Sequence, residues 1–163
     1  MDRRLLMTSA ALAATALVPP GHAQDQGSTR SVADRFAATL SQRDIPSFAA
    51  LFDEGYVNHQ ISAAAPPPPH DATAKQATVA FFAARLAGIP DLQVEVEAAI
   101  AAPYGVAASF VYTGTHGGPL FGIAPTGRHL RFTSCDIFRV SGGRIVEHWG
   151  MGDIAGVLAQ IRS

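Results

Sequence analysis

The stretch Arg131–Asp153, RFTSCDIFRVSGGRIVEHWGMGD, decides how the rest of the chain is read. Two runs that alternate between apolar and polar residues flank Gly142-Gly143, the pattern of a β-hairpin. Phe132, Ser134, Asp136, Phe138 and Val140 share one face of the first run, and Val146, His148 and Gly150 share one face of the second. Asp136 therefore stands among apolar neighbours, where an unpaired carboxylate is costly. A two-residue Gly142-Gly143 loop pairs Ser141 with Arg144 and separates Asp136 from His148. A three-residue Ser141-Gly142-Gly143 loop, with Gly143 at positive φ in a bulge, pairs Val140 with Arg144 and sets Asp136 beside His148. One residue of register decides whether the two groups meet. A carboxylate facing an imidazole in a pocket can take a proton from beside a carbonyl and return one to an oxyanion. The other reading is a structural Asp–His hydrogen bond.

Outward from this hairpin, the 163 residues suggest one domain. Met1–Ala23 reads as an export signal: Arg3 and Arg4, an apolar run from Leu5 to Val18, then Gly21-His22-Ala23. The paired arginines before two leucines resemble a twin-arginine signal. The apolar run is short for a membrane span. The expected location is periplasmic or secreted, with a flexible stretch at Gln24–Arg30. Twelve basic residues against 13 acidic ones give a net charge of −1, which offers no electrostatic case for nucleic acid or an acidic membrane. Cys135 is the one cysteine, so no internal disulfide can form. Alternation puts it opposite Asp136, and it is expected to be a small packed hydrophobe.

Before the hairpin, Ser31 is placed to cap a helix to about Gln42, with Val32, Phe36, Ala37 and Leu40 on one stripe. Asp44 can cap a short second helix with Pro46 in its first turn, ended by Glu54-Gly55. Tyr56–Gln60 reads as a short strand. SAAAPPPPH, Ser62–His70, is a stiff loop or a lid. Asp71 or Thr73 begins the longest helix, which stops at Gly88 and Pro90. Leu92, Val94, Val96 and Ala98 then form the buried side of a strand, and Gly105–Thr115 forms the next. The hairpin strands are Leu130–Val140 and Arg144–Met151. Asp153 caps a closing helix carrying Ile154, Val157, Leu158 and Ile161. Helices followed by a meander is an α+β order. The expected architecture over residues 31–163 is a curved antiparallel sheet wrapped on the N-terminal helices, a cone with an internal pocket.

Other residues carry weaker signals. Asn58 can donate two hydrogen bonds to a substrate oxygen, or can stabilise a turn. His59 is a further substrate-binding candidate, although alternation separates it from Asn58. His59, Asp136 and His148 lack close metal-ligand spacing, so no metal is expected. His116 is expected at a solvent-exposed loop mouth, His129 and Arg131 on the surface, and Trp149 in packing or a subunit contact. Phe82, Tyr112, Phe121 and Phe138 are candidates for an apolar pocket wall. No nucleotide-binding or serine-hydrolase motif is present in the sequence.

YVNH at Tyr56–His59, TGTHGGPLFGIAPTGRHLRF at Thr113–Phe132 and DIFRVSGGRIVEHWGMGD at Asp136–Asp153 resemble the SnoaL-like polyketide cyclases, also called ester cyclases. The resemblance spans nearly all of the chain after Ala23. It implies the α+β cone of the nuclear-transport-factor-2-like superfamily and ring closure by intramolecular aldol condensation without metal or cofactor. An aspartate does the proton work there, and an Asn and a His help to hold substrate oxygens. Asn58 matches the family Asn. Ser134 and Asp136 match two polar pocket positions on the penultimate strand. Gly150 falls where the catalytic aspartate is expected. The register that joins Asp136 to His148, from the three-residue loop, is the expected one.

The expected function is cofactor-free acid–base chemistry, aldol-type cyclisation or related, on an apolar carbonyl or ester substrate. Asp136 and His148 would be catalytic, with Asn58, His59 and Ser134 binding substrate. A different superfamily chemistry, such as epoxide opening or isomerisation, is a weaker reading. The alternative class is a non-catalytic exported binding protein for a hydrophobic small molecule. The resemblance also implies a homodimer paired through the outer sheet face.

Overall fold

The computed structural model describes residues 20–60 and 70–163, with side chains in the first helix described from Ser28. The export segment up to residue 19, and the proline loop up to residue 69, lie outside the described residues. Helix α1 runs Pro20–Ser41 and so begins before the expected Ser31 cap, taking in Gln24–Arg30. Ser31 Oγ instead donates to the Ser28 carbonyl, and buried Thr29 anchors this turn by donating to the Ala102 carbonyl at 2.8 Å. Helix α2, Ile45–Ala50, is capped by Asp44, which accepts from the Ser47 N–H at 3.0 Å. Such a cap is worth about 1 kcal/mol.

Strand β1, Phe52–Asn58, starts earlier than expected. Glu54-Gly55 lies within it rather than ending a helix, because burial of Phe52 and Tyr56 holds the segment to the sheet. Helix α3, Ala74–Gly88, opens on a capping box: Thr73 accepts from the Gln76 N–H, and Gln76 accepts from the Thr73 N–H. Strands β2 (Gln93–Ala102), β3 (Gly105–Thr115), β4 (His129–Ser141) and β5 (Arg144–Gly152) follow, then helix α4, Ile154–Arg162, capped by Asp153. No helix among the described residues is long and apolar enough to cross a membrane.

The open five-stranded sheet has the order β1-β5-β4-β3-β2. Its β2–β5 pairs are antiparallel, but β1 pairs parallel to β5, a departure from an all-antiparallel sheet. The helices cover one face. Phe36 of α1 meets Phe48 of α2, Phe82 of α3, Phe110 of β3 and Phe138 of β4 with ring centroids 5.0–5.3 Å apart. One aromatic cluster thus ties five elements together.

Two bulges aim the side chains. In β2 the register shifts between Val96 and Ala98, which turns Ala98 to the outer face instead of the expected inner one. In the β4–β5 hairpin the expected three-residue loop does not form. Ser141 pairs with Arg144 across a two-residue turn in which Gly142 and Gly143 have φ of 56° and 74°. These left-handed positions suit a tight hairpin turn and suit glycine. One pair later the register slips, with Val140 opposite Ile145 but Arg139 opposite Glu147. Val146 is the extra residue, and a bulge of this kind re-aims every side chain beyond it. At the slip, the Val140 N–H bonds the Tyr104 carbonyl of the β2–β3 turn at 2.8 Å. Asp136 comes to lie opposite Gly150 and His148 opposite Phe138, so Asp136 and His148 share the inner face.

Candidate functional site

The inner face of β4 and β5 carries polar groups in an otherwise apolar interior. His148 Nε2 lies 2.7 Å from Asp136 Oδ1, and Ser134 Oγ donates to Asp136 Oδ2 at 2.5 Å. The Asp136 and His148 side chains are 5% and 2% exposed, so the low local dielectric strengthens their interaction. Tyr56 of β1 places its hydroxyl 3.1 Å from His148 Nδ1. Thr78 of α3 donates to the Tyr56 oxygen at 3.4 Å, and Asn58 Nδ2 donates to Thr78 Oγ1 at 3.3 Å. A chain of donors thus runs from Asn58 through Thr78, Tyr56 and His148 to the Asp136 carboxylate. With Tyr56 donating to Nδ1, the imidazole proton sits on Nε2 and points at Asp136. On the other side, the Tyr112 hydroxyl lies 3.3 Å from Ser134 Oγ.

Burial pushes the Tyr56 hydroxyl up to about 12, against a hydrogen bond from Thr78 that pulls it down, while the nearby Asp136 charge adds to the rise. Burial also raises Tyr112 well above the ordinary phenol range. Both phenols remain hydrogen-bond donors at neutral pH.

Gly150 makes room for the pair. A Cβ built there would overlap Asp136 Oδ1 and lie 2.6 Å from His148 Nε2. The resemblance expects a carboxylate on β5 at this position; here the Asp136 carboxylate of β4 occupies that space, and a side chain at residue 150 could not share it without rearrangement.

The structure brings together Asp136, His148 and Ser134, with Asn58 at the exposed end of the chain. Asn58 takes the turn-stabilising role, since its Oδ1 accepts from the Gln60 N–H at 2.9 Å, while its Nδ2 is engaged by Thr78. His59 does not join them. Alternation along β1 carries it to the outer face, where it stacks on Trp149 at 4.4 Å and meets Glu147 at 2.9 Å. Among the described residues, no three of His, Cys, Asp and Glu are grouped as a metal would need.

Phe82, Tyr112 and Phe138 are buried in the core, whereas Phe121 is partly buried in the β3–β4 connection with φ of 50°. Cys135 lies opposite Asp136 as expected, but it is exposed rather than packed. The apolar residues beside it on the outer face have no helix over them among the described residues. His116 is fully buried rather than exposed, because its loop folds back on itself: Thr126 donates to His116 Nδ1 from its hydroxyl, at 2.9 Å, and from its N–H.

Three groups in this region escaped the sequence reading: Tyr56, Thr78 and Arg85. Thr78 and Arg85 had a signal, as polar residues spaced seven apart on the α3 stripe that also carries Phe82. The pattern at Tyr56–Gln60 marks Tyr56 only as part of a strand.

An open curved sheet, helices on one face and polar groups gathered on that inner face define a nuclear-transport-factor-2-like cone. Within that class, the chain belongs to the SnoaL-like polyketide cyclase family, whose family model matches residues 30–161. Its fold is similar to that of IdmH, a candidate polyketide cyclase from Streptomyces antibioticus. The TM-score is 0.71 at 26% identity, over 83% of this chain and 99% of that one. AclR, a candidate hydroxylase from Streptomyces galilaeus, matches with a TM-score of 0.71 at 22% identity, over 84% of this chain and 97% of that one. A candidate SnoaL-like cyclase from Jannaschia Sp. CCS1 matches at 0.69 and 19% identity, over 90% and 96%. Among curated proteins, none matches the chain.

Proposed function

We propose that this protein is a cofactor-free acid–base enzyme that acts on an apolar carbonyl or ester compound, with Asp136 as the proton-transfer group and His148 as its partner. The observation that carries this reading is the buried 2.7 Å contact of Asp136 with His148 beside Gly150. In an aldol-type step, Asp136 takes the proton from the carbon next to a carbonyl, and the C–H electrons form the enolate. The enolate carbon bonds to a second carbonyl carbon, and the resulting alkoxide takes the proton back from Asp136. His148, steadied by Tyr56, holds the carboxylate in place. Ser134 and Asn58 orient substrate oxygens.

The test needs no natural substrate. Exchange of the α-protons of 2-tetralone for deuterium, followed by NMR, reads the first step alone. Wild type should accelerate exchange, and Asp136→Asn should lose about 10²-fold or more of that acceleration while remaining folded. Equal exchange by the two proteins would remove the acid–base role. If instead 2-tetralone raised the melting temperature of both proteins and neither exchanged its protons, the alternative reading, a binding protein, would stand. That alternative is favoured by Gly150 at the position where the family aspartate is expected.

The proposal extends to export and to pairing. Met1–Ala23 supports export, and a periplasmic or secreted protein beginning at Gln24 on N-terminal sequencing would establish it. Exposed Ile100, Ile137, Trp149 and Met151 on the outer face support a homodimer. Light scattering should read a dimer for wild type and a monomer for Ile137→Lys, and a monomeric wild type would end that part of the proposal.

A further inference from the structure

Arg85, in the last turn of α3, is 6% exposed. Its guanidinium carbon lies 4.8, 5.0, 5.1 and 5.4 Å from the ring centroids of Phe81, Phe82, Tyr112 and Phe132. Four rings therefore surround the cation and interact favourably with it. The Tyr112 hydroxyl can accept a hydrogen bond from it, but ring faces cannot accept its other N–H groups as a carboxylate does, and no carboxylate among the described residues lies within ion-pair distance. Buried arginines are ordinarily paired. Burial accordingly lowers the pKa of this one, and the neighbouring Tyr112 and Asp136 oppose that fall. The C-terminal end of the α3 dipole also favours positive charge at this position.

The cation is linked to the Asp136–His148 pair. Tyr112, under the guanidinium, has its hydroxyl 3.3 Å from Ser134 Oγ, which in turn bonds Asp136. Asp136 itself is engaged by His148 and Ser134, and it is not the missing partner. A substrate with an anionic end could satisfy the guanidinium while its reacting carbon reached Asp136. The planar fork of an arginine matches the two oxygens of a carboxylate. The surrounding rings call for an apolar, ring-bearing body.

We propose that Arg85 is a substrate-positioning residue that binds a carboxylate, so that the preferred ligand is an aromatic or polycyclic free acid rather than its ester. This rests on the reading above that the inner face takes substrate.

The experiment compares binding of 1-hydroxy-2-naphthoate and its methyl ester by titration calorimetry, using wild type, Arg85→Met and Arg85→Lys. Wild type should bind the acid about tenfold or more tightly than the ester, as expected for a charge-assisted pair. Arg85→Met should bind both alike, and Arg85→Lys should keep part of the preference. The melting temperature of free Arg85→Met should equal or exceed that of wild type, because a buried charge with no carboxylate partner has been removed. A cation that merely holds the core together would lower it.

Equal affinity of wild type for acid and ester, binding of neither, or a preference that survives in Arg85→Met would overturn the proposal. So would failure of both variants to fold, which would assign Arg85 to the core. Asp136→Asn should retain the preference for the acid. Failure of α-proton exchange in wild type would therefore remove the acid–base reading and leave this one standing, and the reverse result would do the opposite.

Discussion

Two carboxylate–imidazole pairs sit on neighbouring residues of β5. His148 meets Asp136 at 2.7 Å on the inner face, and Glu147 meets His59 at 2.9 Å on the outer face. Their lengths are nearly the same, but their surroundings are not. The inner side chains are 2% and 5% exposed; the outer ones are 37% and 22% exposed. Water screens the outer pair, and Arg139 shares its carboxylate. The inner pair is screened by nothing, and each partner has further hydrogen bonds. What makes a candidate catalytic pair here is thus burial and second partners rather than distance.

The rest of the hairpin repeats the contrast. Polar Ser134, Asp136 and His148 are buried, while apolar Ile137, Trp149 and Met151 are exposed. This reverses ordinary strand patterning, and both departures are the kind that mark function.

The comparison can be broken most directly from the inside. His148→Ala leaves Asp136 buried without its partner and should cost about 3–5 kcal/mol of unfolding free energy. His59→Ala should cost under about 1 kcal/mol. Urea denaturation of the two variants measures the ratio, and equal losses would show that burial does not distinguish the pairs.

Gly150→Ala comes next. Its methyl group overlaps the inner pair, and overpacking of this kind should cost about 1–3 kcal/mol with a loss of α-proton exchange. A crystal structure of this variant with the 2.7 Å contact intact would contradict the steric account.

Tyr56→Phe should cost about 1 kcal/mol, by removing the hydroxyl that steadies His148. The Tyr56 pKa is raised from 10.0 to about 12, so its contribution is present below pH 10 and is lost as pH rises through the folded value. At about pH 11, native protein should therefore lack the 295 nm tyrosinate signal of Tyr56 and Tyr112, and unfolding should release it. Tyr56→Phe should release about half as much.

The smallest effect belongs outside. Hydrogen bonding from His59, aided by Arg139, holds Glu147 below its usual 4.5. Its contribution is present above that value and is lost as pH falls through the lower folded one. Glu147→Gln should flatten this acid arm slightly, by an amount that salt reduces. An acid arm unchanged by the substitution at low salt would mean that the outer pair contributes nothing.

Much of the fold was legible from the chain. The limits of β3, β4, β5 and α4 follow from alternation, the glycine turn and the Asp153 cap, because these signals are local. The start of α1 was not legible, since Thr29 holds that turn through Ala102, far away in sequence. Nor was β1, whose pairing with β5 at Phe52, Val57 and Asn58 carries Gly55 along within the strand. Nor was the burial of His116, because a Gly- and Pro-rich composition gives no sign that the loop folds back over it.

Within the site, the amino-acid sequence by itself determined that Asp136 faces the core, that Gly150 is empty of side chain, and that Cys135 and Trp149 belong to the opposite face. Period-two geometry requires these within each strand. Only the tertiary structure decided that Asp136 meets His148. The glycine turn has two residues, which alone would part the pair, and the bulge at Val146 restores the register. The Tyr104 carbonyl that takes the Val140 N–H at that slip comes from another hairpin. A one-residue shift set partly by a long-range hydrogen bond leaves no local trace in the chain.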